Sequence, residues 1–260
     1  MNNKPIGIID SGIGGLSIAS VLIKKLPKES IVYIADSKNC PYGQKSAEEI
    51  YKLTKKMVDY LLSKNIKLLL IACNTITVTS IEKLRKYYPN LPVVGIVPVV
   101  KTAINNSKSG KIGIFSTKVT AKSKYQKKLI NEFAKENTVI SIGSDNLVEK
   151  IENPDFVSID KILEKELKPF IEKKVDVLAL GCSHFPLIYS KIKKKLPNVL
   201  ILDSAGAVVR QVERILNNNK ILSNSNKARY NFYTTGGLNA IGFHVDKLTK
   251  SGKIEKISLL

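Results

Sequence analysis

Short apolar runs with almost no internal polar residues alternate along this chain with longer amphipathic stretches, and that alternation narrows the fold more than any other feature. The runs "PIGIID", "SIVYIAD", "IKLLLIAC", "LPVVGIV", "GKIGIFST", "TVISIG", "VDVLALGC" and "NVLILDS" read as strands. Helical spacing of apolar positions predicts helices over 14–26, 46–64, 77–88, 120–136, 158–173, 186–196 and 205–217. The helix at 46–64 also carries a start signal, Ser46 with Glu49 three positions on. A strand that is apolar throughout must be covered on both faces, and parallel neighbours need helical crossovers. The chain is therefore expected to be α/β, with mainly parallel sheet flanked by helices.

The pattern repeats. "IGIIDSGIGGLS" lies over "IGIFSTKVTAKS", "SIVYIAD" over "TVISIGSD", and "KLLLIACNT" over "DVLALGCSH", in the same order in both halves. A repeat of this length implies two similar units. The expected architecture is two pseudo-symmetric domains with a site in the cleft between them. Residues 205–260 follow the second unit and are expected to return to the first. The expected division is 1–97 plus 206–260 for the first domain and 98–205 for the second, with a boundary in "PVVKTAINNSKSG".

Composition excludes several classes. At 43% hydrophobic and 25% charged, the chain carries enough apolar surface for a packed core. No apolar run approaches the roughly 18–20 residues of a membrane span, and "MNNKPIGIIDSG" does not read as a signal peptide. Cys40, Cys73 and Cys182 are odd in number and far apart, which fits free thiols in a reducing cytoplasm. The net charge is +20, yet among 42 basic residues only Arg85, Arg210, Arg214 and Arg229 are arginine. The lysines are scattered over helix faces without aromatic interleaving, so nucleic acid is not an expected partner and neither is a membrane.

In parallel α/β sheets the ligand crevice lies beyond the carboxyl ends of the strands. Here those ends carry Asp10-Ser11, Pro41-Tyr42-Gly43, Cys73-Asn74-Thr75, Ser116-Thr117 and Cys182-Ser183-His184. A lone cysteine at a strand end is usually a small hydrophobe, but Cys73 and Cys182 occupy equivalent positions of the repeat. Facing each other across one cleft, two thiols could invert a stereocentre, one removing a proton and the other delivering one to the opposite face. Lowering a thiol pKa from about 8.5 to about 7 takes roughly 2 kcal/mol at about 1.36 kcal/mol per unit. A helix N-terminus supplies only about 0.3–1 kcal/mol, so polar neighbours must contribute, and Asp10 and His184 are the candidates. "GCSH" lacks a CxxC or a second nearby histidine, so no metal is expected. His244 and Cys40 have no role in this scheme. The glycines of "DSGIGGLS" would let backbone N–H groups approach a substrate carboxylate.

With these residues assembled, the sequence resembles the glutamate racemases of the cofactor-independent aspartate/glutamate racemase superfamily. The resemblance rests on "DSGIGGLS" at 10–17, "PYG" at 41–43, "ACNT" at 72–75 and "GCSHFPL" at 181–187, with weaker matches in "LVE" at 147–149 and "FYTTG" at 232–236. It implies interconversion of L- and D-glutamate for peptidoglycan, with no pyridoxal phosphate or metal. It implies Cys73 as base toward the D-enantiomer and Cys182 toward the L-enantiomer. Asp10 and His184 would assist, and Glu149 would support His184 or the substrate ammonium. Asp10, Ser11, Pro41, Tyr42, Gly43, Asn74, Thr75, Thr117, Ser183 and His184 fall at substrate-binding positions. Members of the family often pair, so a homodimer is allowed for. Ser183 replaces a usual threonine, Phe185 a usual tyrosine, "SDN" a Cys-Pro pair, and "TTGG" a usual "TTGD". Racemisation of another acidic amino acid such as aspartate, and a thiol redox sensor, are the competing readings; the sensor needs a Cys73–Cys182 Cα separation under about 7 Å.

Overall fold

The computed structural model describes residues 2–96, 99–134, 136–249 and 252–259. The first half runs β1 (Ile6–Asp10), α1 (Leu16–Lys25), β2 (Ile31–Ala35), α2 (Ala47–Ser63), β3 (Leu68–Ile71), α3 (Asn74–Tyr87), β4 (Val93–Gly95) and α4 (Val100–Asn106). The second runs β5 (Lys111–Ser116), α5 (Lys118–Lys122), α6 (Lys124–Phe133), β6 (Thr138–Gly143), α7 (Asn146–Glu152), α8 (Phe156–Glu172), β7 (Val177–Gly181), α9 (Tyr189–Lys195) and β8 (Leu200–Leu202). The chain then adds α10 (Ala205–Asn218), β9 (Tyr230–Thr234), α11 (Leu238–Leu248) and β10 (Lys253–Lys256).

These strands form two sheets, ordered β10-β9-β2-β1-β3-β4 and β6-β5-β7-β8. Every strand pair among the described residues is parallel. Laying β1 on β5 and continuing in order gives the same four-strand arrangement in both sheets, so the repeat in the sequence is a repeat in topology. Strands β1, β2, β3 and β7 are buried at every residue, which is why those runs are apolar almost throughout, Asp10 at the carboxyl end of β1 being the one charged residue among them. Helices cover them through apolar stripes. In α2 the stripe is Ile50, Thr54, Met57, Val58 and Leu61. Each buried aliphatic side chain is worth about 1.5–3 kcal/mol. The Ser46 cap, whose hydroxyl accepts from the Glu49 N–H at 3.2 Å, is worth about 1 kcal/mol. Burial thus fixes α2 to the sheet, and the cap sets where it begins.

Strands β9 and β10 extend the first sheet beyond β2, and α10 packs on α1. A buried ion pair, Lys67 Nζ to Glu29 Oε2 at 2.6 Å, gathers the same region. Lys67 also donates to the Asn2 and Ile221 carbonyls, and Glu29 accepts from the Ser223 N–H.

Local boundaries differ from expectation for identifiable reasons. Helix α3 starts at Asn74, not near 77, because Cys73 itself occupies the capping position between strand and helix. The helix expected over 120–136 is two helices. Ser123 is extended, at φ −63° and ψ 143°, and its hydroxyl caps α6 by accepting from the Gln126 N–H at 3.0 Å. The expected helix over 186–196 opens as a 3-10 turn, Phe185–Ile188. The region read as a polar boundary contains α4; the division point itself, Val97–Pro98, lies outside the described residues.

Candidate active site

Strand ends from both sheets converge on one small cavity. The first sheet contributes Ser11 after β1, the Pro41-Tyr42-Gly43 turn after β2, and Cys73, Asn74 and Thr75 after β3. The second contributes Thr117 after β5 and Cys182, Ser183 and His184 after β7. Val148 of α7 also lines it, a residue that carries no chemical signal in the sequence. Its free volume is ≈ 10 Å³, about the space of one water. An amino acid has no room in a space of that size.

The two thiols meet this cavity in different company. Cys73 Sγ lies 3.5 Å from the Ser11 hydroxyl, and behind Ser11 stands Asp10. The Asp10 carboxylate accepts the Ser11 N–H at 2.8 Å and the Gly15 N–H at the start of α1. It also accepts from the Ser183 hydroxyl at 3.3 Å, across the two halves. Burial, with the Asp10 charge second, pushes the Cys73 thiol well above the ordinary range, while the Ser11 hydroxyl works the other way. Burial also raises Asp10, from 3.8 to about 6, against the pull of His184 and the Gly15 N–H.

Cys182 Sγ lies 3.9 Å from Nδ1 of His184. On its far side that imidazole meets Glu152, with Nε2 2.6 Å from Oε1. Burial works against a charged His184, but its contacts with Cys182, Cys40 and Glu152 outweigh burial and hold its pKa well above 6.5. A protonated imidazole therefore faces one sulfur, and a carboxylate screened by a hydroxyl backs the other.

The chain matches the sequence model of the Asp/Glu/Hydantoin racemase family over residues 6–212. The glutamate racemase of Pseudomonas paraeruginosa is 36% identical over 236 residues, covering 90% of this chain and 89% of the relative. Among solved structures, the glutamate racemase isoform RacE1 from Bacillus anthracis superposes with a TM-score of 0.89 at 33% identity, over 100% of this chain and 99% of that one. The glutamate racemase from Francisella tularensis, solved in complex with D-glutamate, gives 0.86 at 29% identity, over 100% and 99%.

This chain belongs to the Asp/Glu/hydantoin racemase family. It is an isomerase of the racemase type. In this racemase Glu149, expected to support His184 or the substrate ammonium, is not the residue that holds the imidazole. Glu149 is exposed on α7, whereas Glu152 is buried. The reason is helical phase. Leu147, Val148, Ile151 and Glu152 form the buried face of α7, and that face points at the imidazole. The motif "LVE" directs attention to the wrong glutamate; a carboxylate in step with an apolar stripe is the signal for the right one. Glu152 Oε1 also accepts the Ile13 N–H at 2.6 Å. The "GIGG" turn must be glycine at two points for this fit: a Cβ on Gly12 would overlap the Glu152 carboxylate, and one on Gly14 the His184 ring.

Other residues of the racemase site fall into two groups. Thr75 and Thr117 join the halves through a 2.9 Å hydroxyl contact. Tyr42 is anchored, donating to Asp36 at 2.5 Å, and Thr235 of the "FYTTG" motif donates to the same carboxylate at 2.7 Å. Asn74 is different. Both polar atoms of its side chain are buried without a partner in the protein, at the wall of the cavity. An unmet buried amide costs about 1–3 kcal/mol. Cys40 is brought within 4.8 Å of ligand atoms of Glu152 and His184, although its sequence gives no hint of it. Among the described residues, no helix is long and apolar enough to cross a membrane.

Proposed function

We propose that this racemase interconverts L- and D-glutamate by two-base proton transfer, with Cys73 and Cys182 as the bases. The observation that carries the reading is the pair of thiols at equivalent strand ends of two repeated units, lining one cavity. Relatives covering nearly the whole chain are glutamate racemases, and the Francisella tularensis structure holds D-glutamate.

In this reading Cys182 takes the α-proton of L-glutamate. The Cα–H electron pair passes into a carbanion delocalised over the α-carboxylate, and Cys73 delivers its own proton to the opposite face. The reverse reaction exchanges the two roles. His184, charged and held by Glu152, stabilises negative charge on the Cys182 sulfur, and Asp10 with Ser11 serves Cys73. Unmet donors and acceptors on Asn74, with the Ser11, Thr75, Thr117 and Ser183 hydroxyls and the Pro41-Tyr42-Gly43 turn, hold the carboxylates and ammonium. Dry surroundings strengthen these contacts, which fits a cavity that opens to admit substrate and closes on it.

The division into domains of 1–97 plus 206–260 and of 98–205 belongs to the same proposal, supported by the membership of the two sheets. So do a cytoplasmic location and a role in supplying D-glutamate for peptidoglycan. The test is chiral analysis of purified protein given L-glutamate, D-glutamate or L-aspartate in turn. Racemisation of both glutamate enantiomers is expected, with incorporation of solvent deuterium at Cα in D2O. Turnover of aspartate alone would replace the substrate; no turnover of either would remove the proposal.

A further inference from the structure

The face of His184 turned away from the thiols is a second feature of this site. Cys40, Glu152 and His184 come from three distant segments, the loop after β2, the end of α7 and the turn after β7. They place a sulfur, a carboxylate oxygen and a ring nitrogen within 4.8 Å of one another. Glu152 and His184 are buried and Cys40 is partly buried. A cavity of ≈ 660 Å³, separate from the one between the thiols, reaches Cys40 and Glu152 and is also lined by His244. Glu149 and Lys247 both line it as well, so neither sign of charge dominates its wall.

We propose that Cys40, Glu152 and His184 form an inhibitory binding site for a thiophilic divalent cation such as zinc, reached through this rear cavity. Sulfur, imidazole and carboxylate are the donor types zinc takes, at about 2.3, 2.0–2.1 and 2.0–2.2 Å, in a tetrahedral set whose fourth position is left to water. His184 Nε2 and Glu152 Oε1 stand 2.6 Å apart around a shared proton. A zinc ion in place of that proton needs a separation of about 3.3 Å, a small rotation of the Glu152 side chain. Three bonds form, to sulfur, nitrogen and oxygen; the Cys40 thiol proton and the shared proton leave to solvent; no group is oxidised or reduced.

Burial pushes the Cys40 thiol up to about 11, so without a cation it is a neutral group with little nucleophilic character. A bound cation reverses this, because coordinating thiols are deprotonated by the metal. The effect on the proposed reaction is direct. With its Nε2 on zinc, His184 loses Glu152 as partner and can no longer exchange a proton through that side, so the Cys182 half of the site stalls while Cys73 is untouched.

Two measurements test this, with zinc chloride and cobalt chloride as probes. Racemase assays with increasing zinc should show inhibition of the parent chain. Measured against its own turnover without zinc, Cys40→Ser should need at least about tenfold more zinc for the same fractional inhibition. Equal zinc sensitivity in Cys40→Ser would overturn the proposal, placing the metal on Cys73 and Cys182. Separately, Cys73→Ser, Cys182→Ser leaves Cys40 as the sole thiol. Titrated with cobalt, that chain should bind one ion and show thiolate-to-cobalt charge-transfer absorption, and further change of Cys40 to serine should remove the band. Absence of the band with Cys40 present would equally sink the site. The zinc arm rests on the proposed racemase reaction and the cobalt arm does not. A chain that binds cobalt through Cys40 but racemises nothing keeps this site and discards that reaction.

Discussion

Cys73 and Cys182 stand at the same place in two copies of one strand order, yet the copies have diverged around them. Beside Cys73 the polar support is indirect: a hydroxyl at 3.5 Å, then a carboxylate already shared with two backbone N–H groups. Beside Cys182 it is an imidazole at 3.9 Å, with a buried carboxylate on its far side, whose pKa is raised by Cys182, Cys40 and Glu152 together. A repeated fold thus sets two identical thiols in different surroundings, one backed by a carboxylate and one beside an imidazole. The repeat supplies the geometry, while the neighbouring side chains make the two surroundings differ.

The largest expected effect comes from removing either thiol. Cys73→Ala and Cys182→Ala should each lower racemisation by about 10²–10⁴-fold or more, the usual worth of a positioned acid or base; chiral chromatography of long incubations reads it. If one variant kept near-parental turnover, the halves would not be a pair. Next come the groups that make the halves differ. Glu152→Gln removes the charge that holds His184 protonated and should lower kcat/KM by roughly tenfold or more. Enantiomers have equal free energy in water, so kcat/KM must fall equally in both directions. The asymmetry must show instead in isotope exchange, slowed on the L-side only.

Asp10 gives a smaller effect, on stability. Its folded pKa of about 6 lies above 3.8, so the folded chain binds more protons than the unfolded chain between those values. Stability therefore falls as pH rises from about 4 to about 6, by at most about 1.36 kcal/mol per pH unit. Asp10→Asn should flatten that slope in denaturant titrations at successive pH values; an unchanged slope would mean that Asp10 is not the buried carboxyl responsible. The smallest effect is expected at Glu149→Ala, which should leave turnover as it was, because Glu149 is exposed and Glu152 holds the imidazole. A loss comparable to that of Glu152→Gln would reverse this assignment.

How much of this the sequence carried depends on the range of each interaction. The four strands of each repeated unit were readable, because buried parallel strands are nearly apolar and the pattern appears twice; their order across each sheet was not. The two thiols with Asp10 and His184 were readable for the same reason, as strand-end residues. Strands β9 and β10 were not, because "YNFYT" follows a polar stretch and "KIEK" is an exposed edge with no apolar run. Glu152 was within reach, had the period of α7 been followed instead of a three-residue motif. Cys40 was not. Its proximity to Glu152 and His184 is created by three distant segments meeting, and nothing local in "NCPYG" records it.

The central claim is that each thiol serves one face of the substrate. It is tested most directly by following Cα–H exchange in D2O by proton NMR with each single-cysteine variant. In Cys73→Ala, Cys182 remains and should exchange the α-proton of L-glutamate alone, without inversion. In Cys182→Ala, D-glutamate alone should exchange. Exchange of both enantiomers by one variant, or inversion by a chain with a single remaining thiol of the pair, would contradict the two-face account.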